Sequence, residues 1–166
     1  MENQQEQDFD EITVDEANQF IQQWVGQKAQ NARIGVGFFL LIDFGQMTTV
    51  EMKPTRLRPE KKIIQKGEWF LWLYHCMWRI IHNDRIIVSS LAETKEEMQY
   101  AVEKINGSTL KSVEIMQPFW DAKFTFSNNH TIETFSRAGN ENYWMLRIPN
   151  SKYLTFGPNS GIRYKP

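Results

Sequence analysis

Apolar side chains are densest at residues 67–81, which hold three of the six tryptophans in the chain. Side chains alternate across a β-strand, so Trp69 would point to one face while Trp72 and Trp78 point to the other. Both faces of this segment would then be apolar and would need to be covered. The pattern therefore predicts the central strand of a layered domain, with Trp72 and Trp78 in its core.

Two segments show apolar residues at helical spacing, and each begins with a capping signal. In the first, Thr13 and Glu16 match a capping box, and the apolar stripe that follows predicts a helix ending near Asn31. In the second, Thr94 begins the same pattern, and Gly107 supplies a residue that tolerates positive φ after the helix. Each apolar stripe is expected to pack on a sheet.

Short apolar or alternating runs, separated by turn residues, predict the other strands. Gly45 and Gln46 are expected to turn the chain between two of them. Pro54 and Pro59 have no backbone N–H to donate to a neighbouring strand, so the basic connection at residues 53–66 is expected to be a loop. A polar loop is expected at residues 138–142. The predicted strands span residues 34–44, 48–53, 85–89, 110–117, 120–127, 131–136, 143–148 and 152–156.

These elements predict a single α+β domain at residues 13–166, preceded by a polar, acidic tail at residues 1–12. The domain is expected to contain a largely antiparallel, twisted sheet of about eight to ten strands with two packed helices. An internal echo aligns residues 42–51 with residues 124–133 without a gap, and residues 69–71 with residues 144–146. This echo raises the possibility of two related halves.

Composition excludes a disordered chain and disfavours two kinds of partner. The chain is 41% hydrophobic and 13% aromatic, and no apolar run reaches the roughly 18 residues that span a bilayer. A net charge of −1 lacks the positive field expected of a nucleic-acid-binding protein. We therefore expect neither membrane nor nucleic acid as a partner. The polar N-terminus and the single cysteine predict a cytoplasmic protein, whose oligomeric state the sequence leaves open.

Residues with catalytic potential are sparse. Cys76 and His75 are adjacent on the predicted central strand, so their side chains should point to opposite faces. A cysteine nucleophile would therefore need His82 or His130 as its base, and the preferred interpretation of Cys76 is a small buried hydrophobe. The three histidines lack the spacing of a zinc site, and no phosphate-binding loop or nucleophile elbow is present. The sequence predicts no cofactor, no metal and no catalytic residue.

Four carboxylates lie within or beside apolar strands. A pair of them could carry out acid–base chemistry if the two shared a cleft. The preferred interpretation is that they are solvent-side members of alternating strands, or partners of arginines. The carboxylates are Asp43, Glu51, Asp121 and Glu133, and the arginines are Arg79, Arg85 and Arg147.

The order of several aromatic and glycine positions resembles a known group of proteins. The matching positions are Trp69 and Leu73, Cys76 with Trp78, Arg79 and Ile80, residues 86–90, Ile105 with Asn106, Gly107 and Leu110, Asp121 with Phe124 and Phe126, and Trp144. The chain is similar, over residues 38–158, to small uncharacterised bacterial proteins, some of them among the proteins assigned to immunity in bacterial toxin systems. The resemblance implies a protein that binds a partner, and its motifs carry no catalytic residues.

The leading hypothesis for function is a non-enzymatic binding protein of the immunity type. The charged connection at residues 53–66 is the expected contact surface, because its surplus positive charge would attract an acidic partner. The candidate partner-binding residues are Arg56, Arg58, Lys61 and Lys62.

The alternative hypothesis belongs to another class, a small enzyme or ligand-binding protein. Its pocket would lie between sheet and helices near Cys76, His82 and Asp84. A deep cleft in which Cys76 or a carboxylate meets a histidine would favour this alternative.

Overall fold

The computed structural model of the chain describes residues 9–56, 58–136, 143–157 and 161–166. Within these ranges, twelve strands form two antiparallel sheets accompanied by two α-helices, which confirms the α+β class. The strands are β1 (Asp10–Ile12), β2 (Ala29–Ile34), β3 (Leu40–Met52), β4 (Lys62–Leu73), β5 (Met77–His82), β6 (Arg85–Ser89), β7 (Leu110–Met116), β8 (Asp121–Phe126), β9 (His130–Phe135), β10 (Trp144–Ile148), β11 (Lys152–Gly157) and β12 (Gly161–Lys165). The helices are α1 (Val14–Trp24) and α2 (Lys95–Glu103). Neither helix has the length and apolar character needed to cross a bilayer.

The core lies between the two sheets. The seven-stranded sheet has the order β1-β12-β11-β10-β4-β3-β2, and the five-stranded sheet has the order β6-β5-β9-β8-β7. Phe44 of the first sheet stacks on Phe126 of the second, with ring centroids 6.4 Å apart. Phe124 meets Trp144 edge-on at 5.4 Å. The inner faces of the sheets therefore pack against each other, as in a two-layer β-structure.

Helix α1 begins as predicted and ends earlier than predicted. The capping box of Thr13 and Glu16 is present. Trp24, the last residue of the helix, is fully buried and touches aromatic rings of both sheets. The expected end near Asn31 is wrong because the chain leaves the helix after Trp24 and pairs with residues 107–110 instead. Gly26 has φ +95° and donates its N–H to the Leu110 carbonyl at 2.8 Å.

Helix α2 begins at the predicted cap and protects an edge of the seven-stranded sheet, but the described residues lack the reciprocal bond of the predicted capping box, from the Thr94 N–H to Glu97. The Thr94 side chain caps the helix. Gln99 accepts a hydrogen bond from the Ile34 N–H of β2 at 2.8 Å. Asn106, which follows the helix, accepts one from the Ala32 N–H at the same distance. These side chains satisfy edge groups of β2 that would otherwise be open to pairing.

The predicted central strand at residues 67–81 is wrong as a single element. It is interrupted after Leu73, so that β4 belongs to the seven-stranded sheet and β5 to the five-stranded sheet. At the crossover, the N–H groups of Tyr74 and His75 both donate to the Tyr143 carbonyl at 3.3 Å. The whole segment is apolar because its first half supplies core residues to one sheet and its second half supplies core residues to the other.

The expected core position is confirmed for Trp78 and wrong for Trp72. Trp69 and Leu71 of β4 point inward and are buried, so alternation places Trp72 on the outer face. There it is half-buried and lies 6.1 Å from the Phe39 ring. Trp78, on the inner face of β5, is 2% exposed.

The expected turn at residues 45–46 is a bulge within β3. Gly45 has φ +76°, and the pairing of β3 with β4 shifts register between Phe44 and Met47 before it continues. The expected loop at residues 53–66 is correspondingly too long, because β4 begins at Lys62 and pairs it with Met52. Only residues 53–61, which contain both prolines, connect the two strands.

The aligned segments of the internal echo have different structures. Residues 42–51 lie within the single strand β3, whereas residues 124–133 form the β8–β9 hairpin of the other sheet. Residues 69–71 and 144–146 lie on adjacent strands, where Leu71 pairs with Leu146. The echo therefore does not mark equivalent positions in two units.

The remaining strand predictions agree with the structure within one residue at each end, from residues 85–89 onward. The tail prediction needs correction, because Asp10–Ile12 form β1 and pair with β12 through Ile12 and Ile162. The strands β1, β2 and β12 were not predicted. The predicted strand at residues 34–44 is wrong over residues 35–39, where a 3₁₀ helix at Val36–Phe38 separates the end of β2 from the start of β3. The rest of the expected tail, residues 1–8, and the expected polar loop at residues 138–142 lie outside the described residues.

Candidate functional site

Cys76 lies at the crossover between the two sheets. It lines a cavity of about 190 Å³ together with Phe39, Tyr74 and Trp78. Burial raises the pKa of the Cys76 thiol to about 12, and the carboxylate of Asp121 adds to the rise. Such a thiol is protonated at neutral pH, which is the opposite of what a cysteine nucleophile requires.

The other two residues of the alternative pocket lie elsewhere. His82 ends β5 and Asp84 follows it in the β5–β6 turn, whereas Cys76 precedes the start of β5. Six residues of extended strand separate Cys76 from His82, a distance of about 20 Å. Neither His82 nor Asp84 lines the Cys76 cavity. The structure does not bring the three residues together.

His82 instead stacks on His130, with ring centroids 4.1 Å apart. His130 is buried, and its Nδ1 lies 3.2 Å from the Asn128 carbonyl. Burial, and then the neighbouring His82, lower the pKa of His130. Over the described part of the chain, no group of three or more His, Cys, Asp or Glu side chains could hold a metal ion.

Two of the strand carboxylates have the role that the sequence suggested. Glu133 accepts a hydrogen bond from Arg79 Nε at 2.8 Å on the outer face of the five-stranded sheet. Glu51 pairs with Lys61 at 2.8 Å, and both side chains are exposed. Asp121 is half-buried, and burial raises the pKa of its carboxyl group.

Asp43 differs from these carboxylates because it is buried, with 2% of its surface exposed. Its Oδ2 accepts hydrogen bonds from Asn31 Nδ2 at 2.9 Å and from Arg33 Nη1 at 2.8 Å. Its Oδ1 accepts the backbone N–H of Gly67 at 3.0 Å. The Nη2 of Arg147 lies 3.9 Å from Oδ1 and donates to the Gly67 carbonyl at 2.9 Å. A buried carboxylate thus links strands β2, β3, β4 and β10.

The local backbone makes this arrangement possible. The register of β2 against β3 shifts between Gln30 and Arg33, and Asn31 within this irregularity has φ +51°. On β4, a Cβ at position 67 would lie 2.8 Å from the backbone of Phe44, so only glycine fits there. The close approach of β4 to β3 at Gly67 allows its N–H to reach the Asp43 carboxylate.

A cavity of about 320 Å³ opens beside this carboxylate, and we call it the cationic cavity. Its polar lining consists of Arg33, Asp43, Gln65, Lys66 and Arg147, and its apolar lining of Val50, Met52, Ile64 and Phe70. The guanidinium groups of Arg33 and Arg147 lie over the Phe70 ring, 5.6 and 5.1 Å from its centroid. Three cationic side chains therefore share a cavity with one carboxylate.

Burial is the main cause of the pKa shifts in the cationic cavity. Burial, and then the charge of Arg147, lower the pKa of Lys66, against the opposing effect of Asp43. Burial also lowers the pKa of Arg147, although Asp43 again opposes the change. Both pKa values are therefore lowered mainly by removal of the side chains from water, while neighbouring charges act in both directions.

The second candidate site is the part of the β3–β4 hairpin that extends beyond the sheet, residues 47–67, which we call the arm. β2 pairs with β3 only at positions up to Phe44, and β10 pairs with β4 only from Phe70 onward. Within the described residues, the arm strands pair with each other alone. Ile63 on the arm is 70% exposed. As far as the described ranges extend, the arm is therefore a two-stranded ribbon with both edges open.

The four candidate partner-binding residues all lie at the end of the arm, with different surroundings. Arg56, Lys61 and Lys62 are exposed. Arg58 is partly buried, and it donates from Nη2 to the Lys53 carbonyl at 2.9 Å. Arg58 therefore holds the connection together, which separates it from the other three.

Sequence reasoning missed the cationic cavity. It named Arg147 among the possible partners of the strand carboxylates, but Arg33 lay between a predicted helix and a predicted strand, and Lys66 lay in a predicted loop. The available signal was the single acidic residue inside an apolar strand at Asp43, because a buried carboxylate needs cationic or N–H partners.

No protein-family model matches this chain, and no curated protein and no solved structure matches it either.

Proposed function

We propose that the chain is a non-enzymatic binding protein whose arm docks on an acidic partner protein. The observation that carries this proposal is the arm itself, a two-stranded ribbon with open edges and a basic end. The resemblance to immunity proteins of toxin systems would make the partner a toxin that the bound chain occludes.

The geometry of the arm supports a role in docking. Six residues of β3, from Met47 to Met52, extend about 20 Å beyond the part of the sheet where β2 and β10 flank the β3–β4 pair. A two-stranded ribbon in water is only marginally stable, and exposed strand edges invite pairing with other chains. A partner could add a strand to either edge, while Ile63 supplies an exposed apolar contact.

The charge of the arm supports an acidic partner. Residues 47–67 contain six basic and two acidic residues, a net charge of +4, whereas the whole chain has a net charge of −1. The rest of the chain is therefore acidic, and the positive field is concentrated at the arm. Such a separation steers an acidic partner toward one surface and speeds association.

The chemistry of the alternative pocket supports the choice of a binding function over an enzyme. The raised pKa of Cys76 disfavours a thiolate, His82 lies about 20 Å away at the far end of β5, and Asp84 does not line the Cys76 cavity.

The test reverses the charge at the exposed end of the arm, with Arg56, Lys61 and Lys62 each replaced by Glu. Arg58 is kept because its hydrogen bond to Lys53 has a structural role. The matched control makes the same change of charge at three exposed basic residues away from the arm. The control residues are Lys95, Lys111 and Arg163.

Wild type and both variants are immobilised and used to capture proteins from the cells that encode the chain, with neighbouring gene products as the first candidates. We expect an acidic protein to be retained by wild type and by the control but lost by the arm variant. With that protein purified, its association rate should fall most at low salt, where charges are least screened. Equal capture and equal association rates for all three proteins would refute docking by the arm.

A further inference from the structure

The cationic cavity holds more positive charge than its own residues neutralise. Arg33, Lys66 and Arg147 contribute three positive charges, and Asp43 contributes one negative charge. The Asp43 carboxylate is already occupied by Asn31, Arg33 and the Gly67 N–H. Uncompensated charge in a partly buried site is unfavourable unless a counter-ion joins it.

Donor groups in the cavity remain available for such an ion. A guanidinium group has five N–H donors. The hydrogen bonds within the described residues use Nη1 of Arg33 and Nη2 of Arg147, which leaves the Nε and the other Nη of each group without a partner there. The Lys66 ammonium donates no hydrogen bond to the described residues. Stacking on Phe70 holds both guanidinium groups in place before any ligand arrives.

The remaining lining restricts the kind of anion that fits. Val50, Met52, Ile64 and Phe70 form an apolar wall beside the cationic groups. The volume of about 320 Å³ is at the lower end of the range for small-molecule sites. An anionic head group would meet the guanidinium groups, while an apolar substituent would cover the wall.

We propose that the cationic cavity binds a small organic oxyanion, a carboxylate or phosphate group joined to an apolar body. Part of its lining lies on the arm, but the cavity does not include the docking residues Arg56, Lys61 and Lys62, so the proposal does not depend on the proposed function. It uses the chemistry by which arginine pairs recognise carboxylates and phosphates.

The test uses benzoate and phenyl phosphate as the anionic probes and benzyl alcohol as the neutral probe with the same ring. Each is titrated into the ¹⁵N-labelled protein at low ionic strength, and amide shifts are followed by NMR. We expect saturable shifts at Asp43, Gly67 and Phe70 with one or both anions, and none with benzyl alcohol. The relative affinities of benzoate and phenyl phosphate identify the preferred head group.

Two variants of the same strand make the test specific. Lys66→Gln removes a cavity charge and should weaken anion binding about tenfold, the effect of losing one charge-assisted hydrogen bond. Lys62→Gln removes an exposed charge outside the cavity and should leave the affinity within about twofold of wild type. Neither variant should lower the melting temperature below that of wild type, because neither ammonium group donates a hydrogen bond to the described residues.

Three results would overturn the proposal. The first is the absence of saturable shifts at the cavity amides with either anion at millimolar concentration. The second is binding of benzyl alcohol with the same affinity as the anions. The third is an equal loss of affinity in Lys66→Gln and Lys62→Gln, which would indicate general attraction to a basic surface. None of these results bears on the arm, whose test uses exposed residues and a protein partner.

Discussion

The Asp43 carboxylate offers the sharpest test of how the arm is joined to the sheet. Asp43→Asn keeps the shape of the side chain and removes its charge. The Asn Oδ1 can still accept the Gly67 N–H, so that hydrogen bond is retained. The new amide N–H₂ replaces Oδ2, where it faces donors from Asn31 and Arg33. Two hydrogen bonds to a charged acceptor are lost.

The magnitude follows from these two bonds. A hydrogen bond to a charged group contributes about 1.5–3 kcal/mol, which gives a gross loss of about 3–6 kcal/mol. Asn31 is exposed and the Arg33 side chain is 36% exposed, so water replaces part of what is lost. The Arg147 side chain is only 12% exposed and loses its nearest counter-charge. We expect Asp43→Asn to lower the free energy of unfolding by about 3 kcal/mol.

The assay is equilibrium unfolding in urea, followed by tryptophan fluorescence and circular dichroism. Glu133→Gln is the matched control, because Glu133 also pairs with an arginine from a neighbouring strand but is 19% exposed, against 2% for Asp43. Its loss should cost no more than about 1 kcal/mol. Equal losses for the two variants, or a loss below about 1 kcal/mol for Asp43→Asn, would refute the view that Asp43 is a buried electrostatic link.

Two further predictions follow from the positions of individual side chains. Trp78→Ala empties a buried inner-face position and should lower the free energy of unfolding in urea by about 3–5 kcal/mol. Trp72→Ala removes a half-buried side chain from the outer face and should lower it by about 1–2 kcal/mol. Equal losses would contradict the assignment of the two residues to different faces. Burial raises the pKa of Cys76 to about 12, against 9.0 for an ordinary thiol, and only the thiolate reacts with iodoacetamide. At pH 8 the native chain should therefore react about a thousandfold more slowly than the chain unfolded in urea. The native rate should rise with pH up to about 12, and a native rate within tenfold of the unfolded rate at pH 8 would show that Cys76 is accessible and ionisable.

Local patterns in the sequence determined much of this fold. Thr13 and Thr94 mark both helix starts because capping depends on residues within one turn of each other. The strands from residue 85 onward follow from alternation and from turns such as Asn83 and Asp84, both with positive φ. Burial of Cys76 was also predicted, from its apolar neighbours, and Arg79 was among the arginines expected to pair with the strand carboxylates.

The tertiary structure decided where the strands go. No glycine or proline marks the crossover at Tyr74 and His75. Both of their N–H groups donate to the carbonyl of the distant Tyr143, and a local sequence pattern does not reveal such a contact. Strand β2 replaced the end of a predicted helix because backbone pairing with residues 107–110 and side chains of α2 satisfy it. Propensity is a weak guide when such long-range hydrogen bonds compete with it.

The candidate sites show the same division. The surplus of basic residues at 53–66 was visible in the sequence, but the projecting ribbon became evident only from the strands that fail to flank it. The cationic cavity was invisible because Arg33, Asp43, Lys66 and Arg147 come from four different strands. A sequence specifies the neighbours of a residue along one strand, whereas sheet order and register decide which charges share a cavity.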